Sequence, residues 1–204
     1  MITIVDYGLG NISAFLNVYR RLNIEARTAK TVAELEGSTR LILPGVGHFD
    51  HAMERLEESG MRAELDQMVL ENKVPVMGIC VGMQMLARSS DEGTRPGLGW
   101  VDGRVRSFSS WEPAAALPMP HMGWNDVQPV AESPLFAGLD EEARFYFLHS
   151  FFFECARRED VLAVANYGSD FGCAVRSDNI FGVQFHPEKS HHFGTRLLQN
   201  FAEL

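Results

Sequence analysis

The chain has 204 residues, 46% hydrophobic and 22% charged, and a net charge of −9. That length suits one good-sized core and is short for two. An acidic balance without any Lys/Arg block argues against nucleic acid or an anionic membrane surface as partner. Three widely spaced cysteines, Cys80, Cys155 and Cys173, with no CxxC, argue against a disulfide framework or a structural zinc site. The start, Met1-Ile2-Thr3-Ile4-Val5-Asp6, has no basic n-region or cleavage site. The most apolar stretch, 74–86, falls short of the ~20 residues a bilayer span needs. A soluble, cytoplasmic protein of one domain, 1–204, is expected.

Ile2-Thr3-Ile4-Val5 is a short apolar, β-branched run that predicts a buried strand ending at Asp6-Tyr7-Gly8. Asn11 caps a helix carrying Phe15, Leu16, Val18, Tyr19 and Leu22. A second strand is expected over 24–28, and a short helix after Thr31. Leu41-Ile42-Leu43 predicts a third strand, stopped by Pro44. A helical segment covers 50–71, with a break at Gly60. A further buried strand spans 74–79, and a helix over 81–88 follows at once. This alternation implies crossover units and a parallel sheet, so the fold class is α/β.

The second half differs. Segments 101–108, 124–130, 144–154, 161–167, 171–176 and 180–185 predict strands joined by turns, some antiparallel. The Pro- and Ala-rich stretch 109–120 reads as a loop. A closing helix over 190–204 carries Phe193, Leu197, Leu198 and Phe201 on one face.

Three places could carry chemistry. In Gly78-Ile79-Cys80-Val81-Gly82 an apolar strand enters a helix through a turn flanked by glycines. That is the pattern of a nucleophile elbow, with Cys where Ser often sits. It lifts the thiol to the carboxyl edge of the sheet and sets it at a helix N-terminus, where the helix dipole favours a thiolate. A lone cysteine is otherwise well explained as a buried structural thiol, and at this point both readings stand. In Gln184-Phe185-His186-Pro187-Glu188 a strand delivers His186, Pro187 fixes the turn, and Glu188 lies close enough to orient the imidazole. This is the order of nucleophile, base and orienter; the competing reading is a loop histidine beside a solvated carboxylate. In Pro44-Gly45-Val46-Gly47 glycines allow close backbone approach, and the amides of Val46 and Val81 are candidates for an oxyanion hole. An ordinary Pro-Gly turn explains this stretch equally.

His48 and His51 lie three apart, and His191 and His192 are adjacent, but no Cys or carboxylate completes a familiar ligand set, so no metal or other cofactor is expected. Cys155 and Cys173 lack a glycine elbow and read as packing or surface thiols. The Phe-rich run 145–153 reads as a core strand, interrupted by His149-Ser150, which could face the site.

Pro44-Gly45-Val46-Gly47, Gly78-Ile79-Cys80-Val81-Gly82-Met83-Gln84 and Phe185-His186-Pro187-Glu188, in this order along the chain, resemble the class I (triad) glutamine amidotransferases. Asp6-Tyr7-Gly8-Leu9-Gly10-Asn11, Pro120-His121-Met122-Gly123-Trp124-Asn125 and Tyr146-Phe147-Leu148-His149-Ser150 are similar to the glutaminase subunits of imidazole glycerol phosphate synthase. The resemblance spans nearly the whole chain. It implies a single glutamine amidotransferase type 1 domain with a flavodoxin-like open, mostly parallel sheet and an antiparallel β extension. It implies a role in histidine biosynthesis: Cys80 forms a glutamyl thioester, His186 protonates the leaving ammonia, Glu188 completes the triad, and a separate (β/α)₈-barrel cyclase subunit receives the ammonia in a heterodimer. By the same matching Gly45, Gly47, Gln84, His149 and Ser150 would hold the substrate glutamine. Tyr146 and Lys189 would lie near that pocket or the cyclase interface, where Asn11 and Trp124 are further candidates. In this family the Val46 peptide is expected to turn its N–H away until the cyclase binds its ligand. Val81 stands where Leu is more usual, and 107–119 does not align with the family.

Rival readings are an amidotransferase serving pyridoxal phosphate, anthranilate or GMP synthesis, a cysteine peptidase or redox-responsive chaperone on a similar fold, and an inactive binding subunit. The segments 6–11 and 120–125 oppose the first, the His186-Pro187-Glu188 turn the second, and the complete triad with both loops the third.

Overall fold

Strand β1 (Ile2–Val5) is buried at every position in the computed structural model, which describes residues 1–139 and 142–204. Ile2, Ile4 and Val5 suit a strand covered on both faces, and the buried Thr3 hydroxyl accepts the Ser38 O–H. Helix α1 (Ile12–Arg21) starts where the Asn11 side chain accepts the Ala14 N–H, and it turns Phe15, Val18 and Tyr19 inward. Strand β2 (Ala26–Ala29), helix α2 (Val32–Leu35) and strand β3 (Arg40–Gly45) follow.

Pro44 does not stop β3. The Leu41 N–H bonds the Pro75 carbonyl. Since ladder N–H groups alternate in direction, residue 44 would donate toward β1. Pairing with β1 ends at Ile42 opposite Ile4, so a missing donor at Pro44 costs no ladder bond.

Helix α3 (Phe49–Glu58) is separated from α4 (Arg62–Asp66) by a turn in which Gly60 takes φ +71°, and a π-helical turn, Gln67–Glu71, ends the segment. Strand β4 (Val76–Cys80) is wholly buried and runs into α5 (Val81–Gln84). Here the sequence expectation of a helix over 81–88 is corrected to one turn. The carbonyls of Met85, Leu86 and Ala87 accept N–H groups from Leu98, Val101 and Gly99, which displace further helical bonding. Gly97 permits that approach, since a Cβ there would lie 2.0 Å from the Ala87 oxygen.

The remaining strands are β5 (Ser89–Ser90), β6 (Gly103–Ser107), β7 (His121–Asp126), β8 (Gln128–Pro129), β9 (Arg144–His149), β10 (Phe151–Cys155), β11 (Val161–Asn166), β12 (Asp170–Ser177) and β13 (Ile180–Val183). The strand expected over 144–154 is two strands in different sheets. β9 pairs with β7, and β10 pairs with β6. Between them the Ser150 carbonyl accepts the Phe108 N–H, and the His149 ring bonds the Phe151 carbonyl. The backbone thus crosses from one sheet to the other at Ser150.

The main sheet has the order β2-β1-β3-β4-β13-β12-β11-β8. Its first five strands are parallel and the rest antiparallel. The parallel half has the flavodoxin-like order, with β13 as its last strand. The carboxyl ends of β3, β4 and β13 therefore lie side by side. Helix α6 (His191–Glu203) closes the fold with Leu197, Leu198 and Phe201 buried, and the Tyr19 hydroxyl of α1 donates to the Leu198 carbonyl. Among the described residues no helix is long and apolar enough to cross a membrane.

Candidate active site

The turn between β4 and α5 holds Cys80 at φ 55°, ψ −114°. A side chain in this region costs ~1–3 kcal/mol, and such strain gathers where the fold needs a group aimed in one direction. Three glycines make the turn possible. A Cβ on Gly78 would stand 2.5 Å from the Gly82 oxygen, one on Gly82 1.9 Å from the Leu43 oxygen, and one on Gly45 2.5 Å from the Gly82 nitrogen. β3, β4 and the elbow are packed backbone to backbone. Gly45 is packed against the elbow backbone, and its neighbours Val46 and Gly47 form the cavity wall.

β13 ends at Val183, and the chain continues until the His186 N–H bonds the Tyr146 carbonyl of β9. A 3₁₀ turn, Pro187–Lys189, then brings Glu188 back, with its Oε1 2.8 Å from His186 Nδ1. Both side chains are under 5% exposed, at 4% and 3%, so solvent screens their attraction little. Burial by itself would lower the His186 pKa. Hydrogen bonds to the Cys80 thiol and to Glu188, with the negative charge each can carry, outweigh it and raise the pKa to about 9. Nδ1–H donates to the carboxylate, which leaves Nε2 for the thiol proton. The second carboxylate oxygen, Oε2, is buried without a hydrogen-bond partner among the described residues.

A cavity of about 290 Å³ opens above the thiol. Its wall includes Val46, Gly47, Cys80, Val81, Gln84 and His186. His149, Ser150 and Lys189 also line it. Residues separated by more than a hundred positions meet here because three strand ends are neighbours. Val46 is exposed and Gly47 has φ +87°, a conformation that glycine adopts without strain. Tyr7, from the end of β1, lies beneath. Its hydroxyl donates to the Pro44 carbonyl at 2.6 Å, and burial, reinforced by Cys80, pushes its pKa far up.

His149 does not present a free ring nitrogen. Its Nδ1 lies 2.7 Å from the Phe151 carbonyl, an acceptor only, so that nitrogen carries the proton. Its Nε2 must then accept from His121 Nδ1 at 2.9 Å, and His121 Nε2 accepts from the Asn125 amide, which also donates to the Asn166 carbonyl. The same tautomers follow from either end of this chain. Burial lowers the pKa of His149 to about 3, a bond to Phe151 opposing and the charges of His121 and His186 reinforcing it; burial lowers that of His121 to about 4. Both rings are neutral near pH 7.

Tyr146 is half-buried, with Lys189 Nζ 5.8 Å from its ring centre. Trp124 is exposed and stacks on His191 at 5.2 Å. Asn11 caps α1, and His48 caps α3 by accepting the Asp50 N–H. His51, His191 and His192 are exposed. Among the described residues no group of three or more His, Cys, Asp or Glu is arranged to hold a metal ion. Burial pushes the pKa of Cys173 far up and that of Cys155 to about 12, in the latter with Asp160 adding to the rise, so neither is a reactive thiol near pH 7.

Sequence reasoning did not single out Glu92, Pro120, Leu148 or Phe151, which also line the cavity. Nor did it assign a role to Gln184, wholly buried beside the thiol. Gln184 sits in the segment that carries the base, so its position was the available signal. Glu92 gave none. The unaligned stretch 107–119 packs Phe108 against His149 and Phe171, and the Tyr167 hydroxyl donates to the Pro118 carbonyl. It covers the aromatic side of the site.

The family model described as "Glutamine amidotransferase class-I" matches residues 3–204. A protein of Bdellovibrio bacteriovorus named "Imidazole glycerol phosphate synthase subunit HisH" is 64% identical over 204 residues, the whole of both chains. One of the same name from Leptospira interrogans is 52% identical, and "subunit HisH 2" of Pseudomonas aeruginosa 45%, both again over the full length of each chain. Among solved structures, a "glutamine amidotransferase" has a TM-score of 0.77 at 24% identity, covering 99% of this chain and 97% of its own. PurLQS of Thermotoga maritima has 0.75 at 18%, with coverages of 99% and 97%. These likenesses show the fold.

Proposed function

This chain belongs to the class-I glutamine amidotransferases, and among them to the HisH subunits of imidazole glycerol phosphate synthase; from that premise we propose that it is a glutaminase whose nucleophile is Cys80. The observation that carries the reading is the His186 ring, bonded through Nδ1 to the buried Glu188 carboxylate and lining one cavity with Cys80. Cys80 Sγ attacks the side-chain carbonyl carbon of glutamine, and His186 takes the thiol proton. The tetrahedral oxyanion lies toward the backbone N–H groups of Val46 and Val81. His186 then gives its proton to the departing nitrogen, which leaves as ammonia with the C–N bond. The glutamyl thioester remains on Cys80. Water, deprotonated by His186, attacks it through a second oxyanion and releases glutamate. Glu188 holds the ring and balances the imidazolium at both stages. Gly47, Gln84, Ser150 and the Phe151 segment grip the amino-acid end of the substrate.

Ammonia passes to a cyclase subunit in a heterodimer. The support for this face is an apolar rim beside the cavity. Met122 and Leu148 are paired across β7 and β9, and Trp124 lies opposite Tyr146. Met122 is 65% exposed, Trp124 45% and Val46 40%, high values for large apolar side chains in one neighbourhood. The chain acts as one domain, 1–204, in the cytoplasm.

The test is glutamate release with and without the cyclase subunit and its ligand, for the wild type and Cys80→Ala. The expected result is slow release alone, faster release in the liganded complex, and none from the variant at unchanged thermal stability. Full residual activity of Cys80→Ala refutes the nucleophile. Equal wild-type rates with and without the partner refute the activation.

A further inference from the structure

The Cys80 sulfur has three polar neighbours. His186 bonds it. The Leu148 carbonyl oxygen lies 4.0 Å away, an acceptor that favours the protonated thiol. The third is Gln184 Nε2 at 3.8 Å, within reach of an N–H to sulfur bond.

The polarity of that carboxamide follows from the backbone. The Phe151 carbonyl can only accept, and Gln84 faces it at 3.1 Å, so the facing atom is Nε2. The same Gln84 Nε2 donates to Gln184 at 3.0 Å, which puts Oε1 of Gln184 on that side. Its Nε2 therefore turns to the sulfur. Gln84 and Gln184 are 2% and 0% exposed, so water does not compete for these groups. A backbone carbonyl of β10 thus sets, through two amide side chains, a donor aimed at Sγ. A donor to a thiolate favours the charged form, and in a dry site it does so without reorganisation.

We propose that Gln184 is a further catalytic residue, whose Gln84-locked N–H stabilises the Cys80 thiolate and holds the sulfur in its attacking position. The inference rests on Cys80 being the nucleophile. Other titratable groups facing the thiol are His186, backed by Glu188, from the β13 side, Tyr7 from β1, and His149, Glu92 and Lys189 around the cavity.

The experiment measures the rate of Cys80 carboxamidomethylation by iodoacetamide against pH, followed on the Cys80 peptide by mass spectrometry. It uses the complex with the cyclase subunit and compares the wild type, Gln184→Leu, Gln184→Glu and Gln84→Leu. The midpoint should rise by about half to one pH unit in Gln184→Leu, since a donor is lost. It should rise further in Gln184→Glu, where a carboxylate meets the sulfur. In Gln84→Leu, which unlocks the amide and leaves Gln184 itself in place, the rise should be smaller but of the same sign. That third variant keeps the test open should either Gln184 variant fail to fold. Midpoints equal to wild type in folded variants, even with kcat reduced, overturn the proposal. An active Cys80→Ala overturns the nucleophile instead, so the two failures are distinct.

Discussion

Glu188→Gln removes one charge from the site and leaves its shape. The carboxamide oxygen keeps the place of Oε1, 2.8 Å from His186 Nδ1. A charge-assisted buried hydrogen bond contributes ~1.5–3 kcal/mol and a neutral one ~0.5–1.5 kcal/mol. The difference of about 1–2 kcal/mol corresponds to a loss of about 5- to 30-fold in the steps where His186 is charged. If the amide rotates, its N–H meets Nδ1 and imposes the other tautomer, and the loss then approaches the ~10⁴-fold seen when a triad histidine is wrongly held. Stability gives a second reading. The His186 pKa is about 9 in the folded chain and ~6.5 in an unfolded one. Its contribution is therefore fully present below pH 6.5 and lost as pH rises through about 9. Removing the carboxylate lowers the folded value and narrows this window. The assay is kcat for glutamate release in the liganded complex, alongside Tm at pH 7 and about pH 9.5. A kcat within twofold of wild type, or an unchanged Tm difference between the two pH values, would refute the electrostatic role of Glu188.

Gly82→Ala places a Cβ 1.9 Å from the Leu43 carbonyl, a backbone atom that cannot move aside alone. A cost of about 3 kcal/mol or more is expected, read as a Tm lower by roughly 6–12 °C and as lost activity; an unchanged Tm would sink the close-packing account. The neutral pair His121 and His149 makes an opposite pH prediction. With folded pKa values of about 4 and about 3, the unfolded chain binds protons below pH 6.5 that the folded chain does not. Their stabilisation is present above 6.5 and lost as pH falls toward 4, at up to about 1.4 kcal/mol per pH unit for each ring. The double variant His121→Gln, His149→Gln should show a shallower fall of the urea midpoint between pH 6.5 and 4.5. An identical slope would show that the pair is not held neutral.

Local rules made much of this protein legible. β4 and β13 are continuous runs without a polar side chain and β1 has only Thr3 among apolar residues, so burial on both faces follows from their composition. Asn11 and Gly60 mark helix ends through cap and turn chemistry that needs no distant partner. The elbow at Cys80 was readable because backbone crowding excludes side chains at Gly78 and Gly82, leaving a pattern in the sequence. Where the sequence misled, non-local hydrogen bonds had decided. Pro44 remains in β3 because β1 has already ended. α5 is one turn because 97–101 takes its later carbonyls, and the Phe-rich strand divides because Ser150 serves two sheets. The meeting of Cys80 and His186 in one cavity, with Glu188 behind the imidazole, could be expected from motifs. That Gln184 aims an N–H at its sulfur could not, because the direction of an amide is fixed by Gln84 and the Phe151 carbonyl, which meet it only once β4, β10 and β13 are packed together.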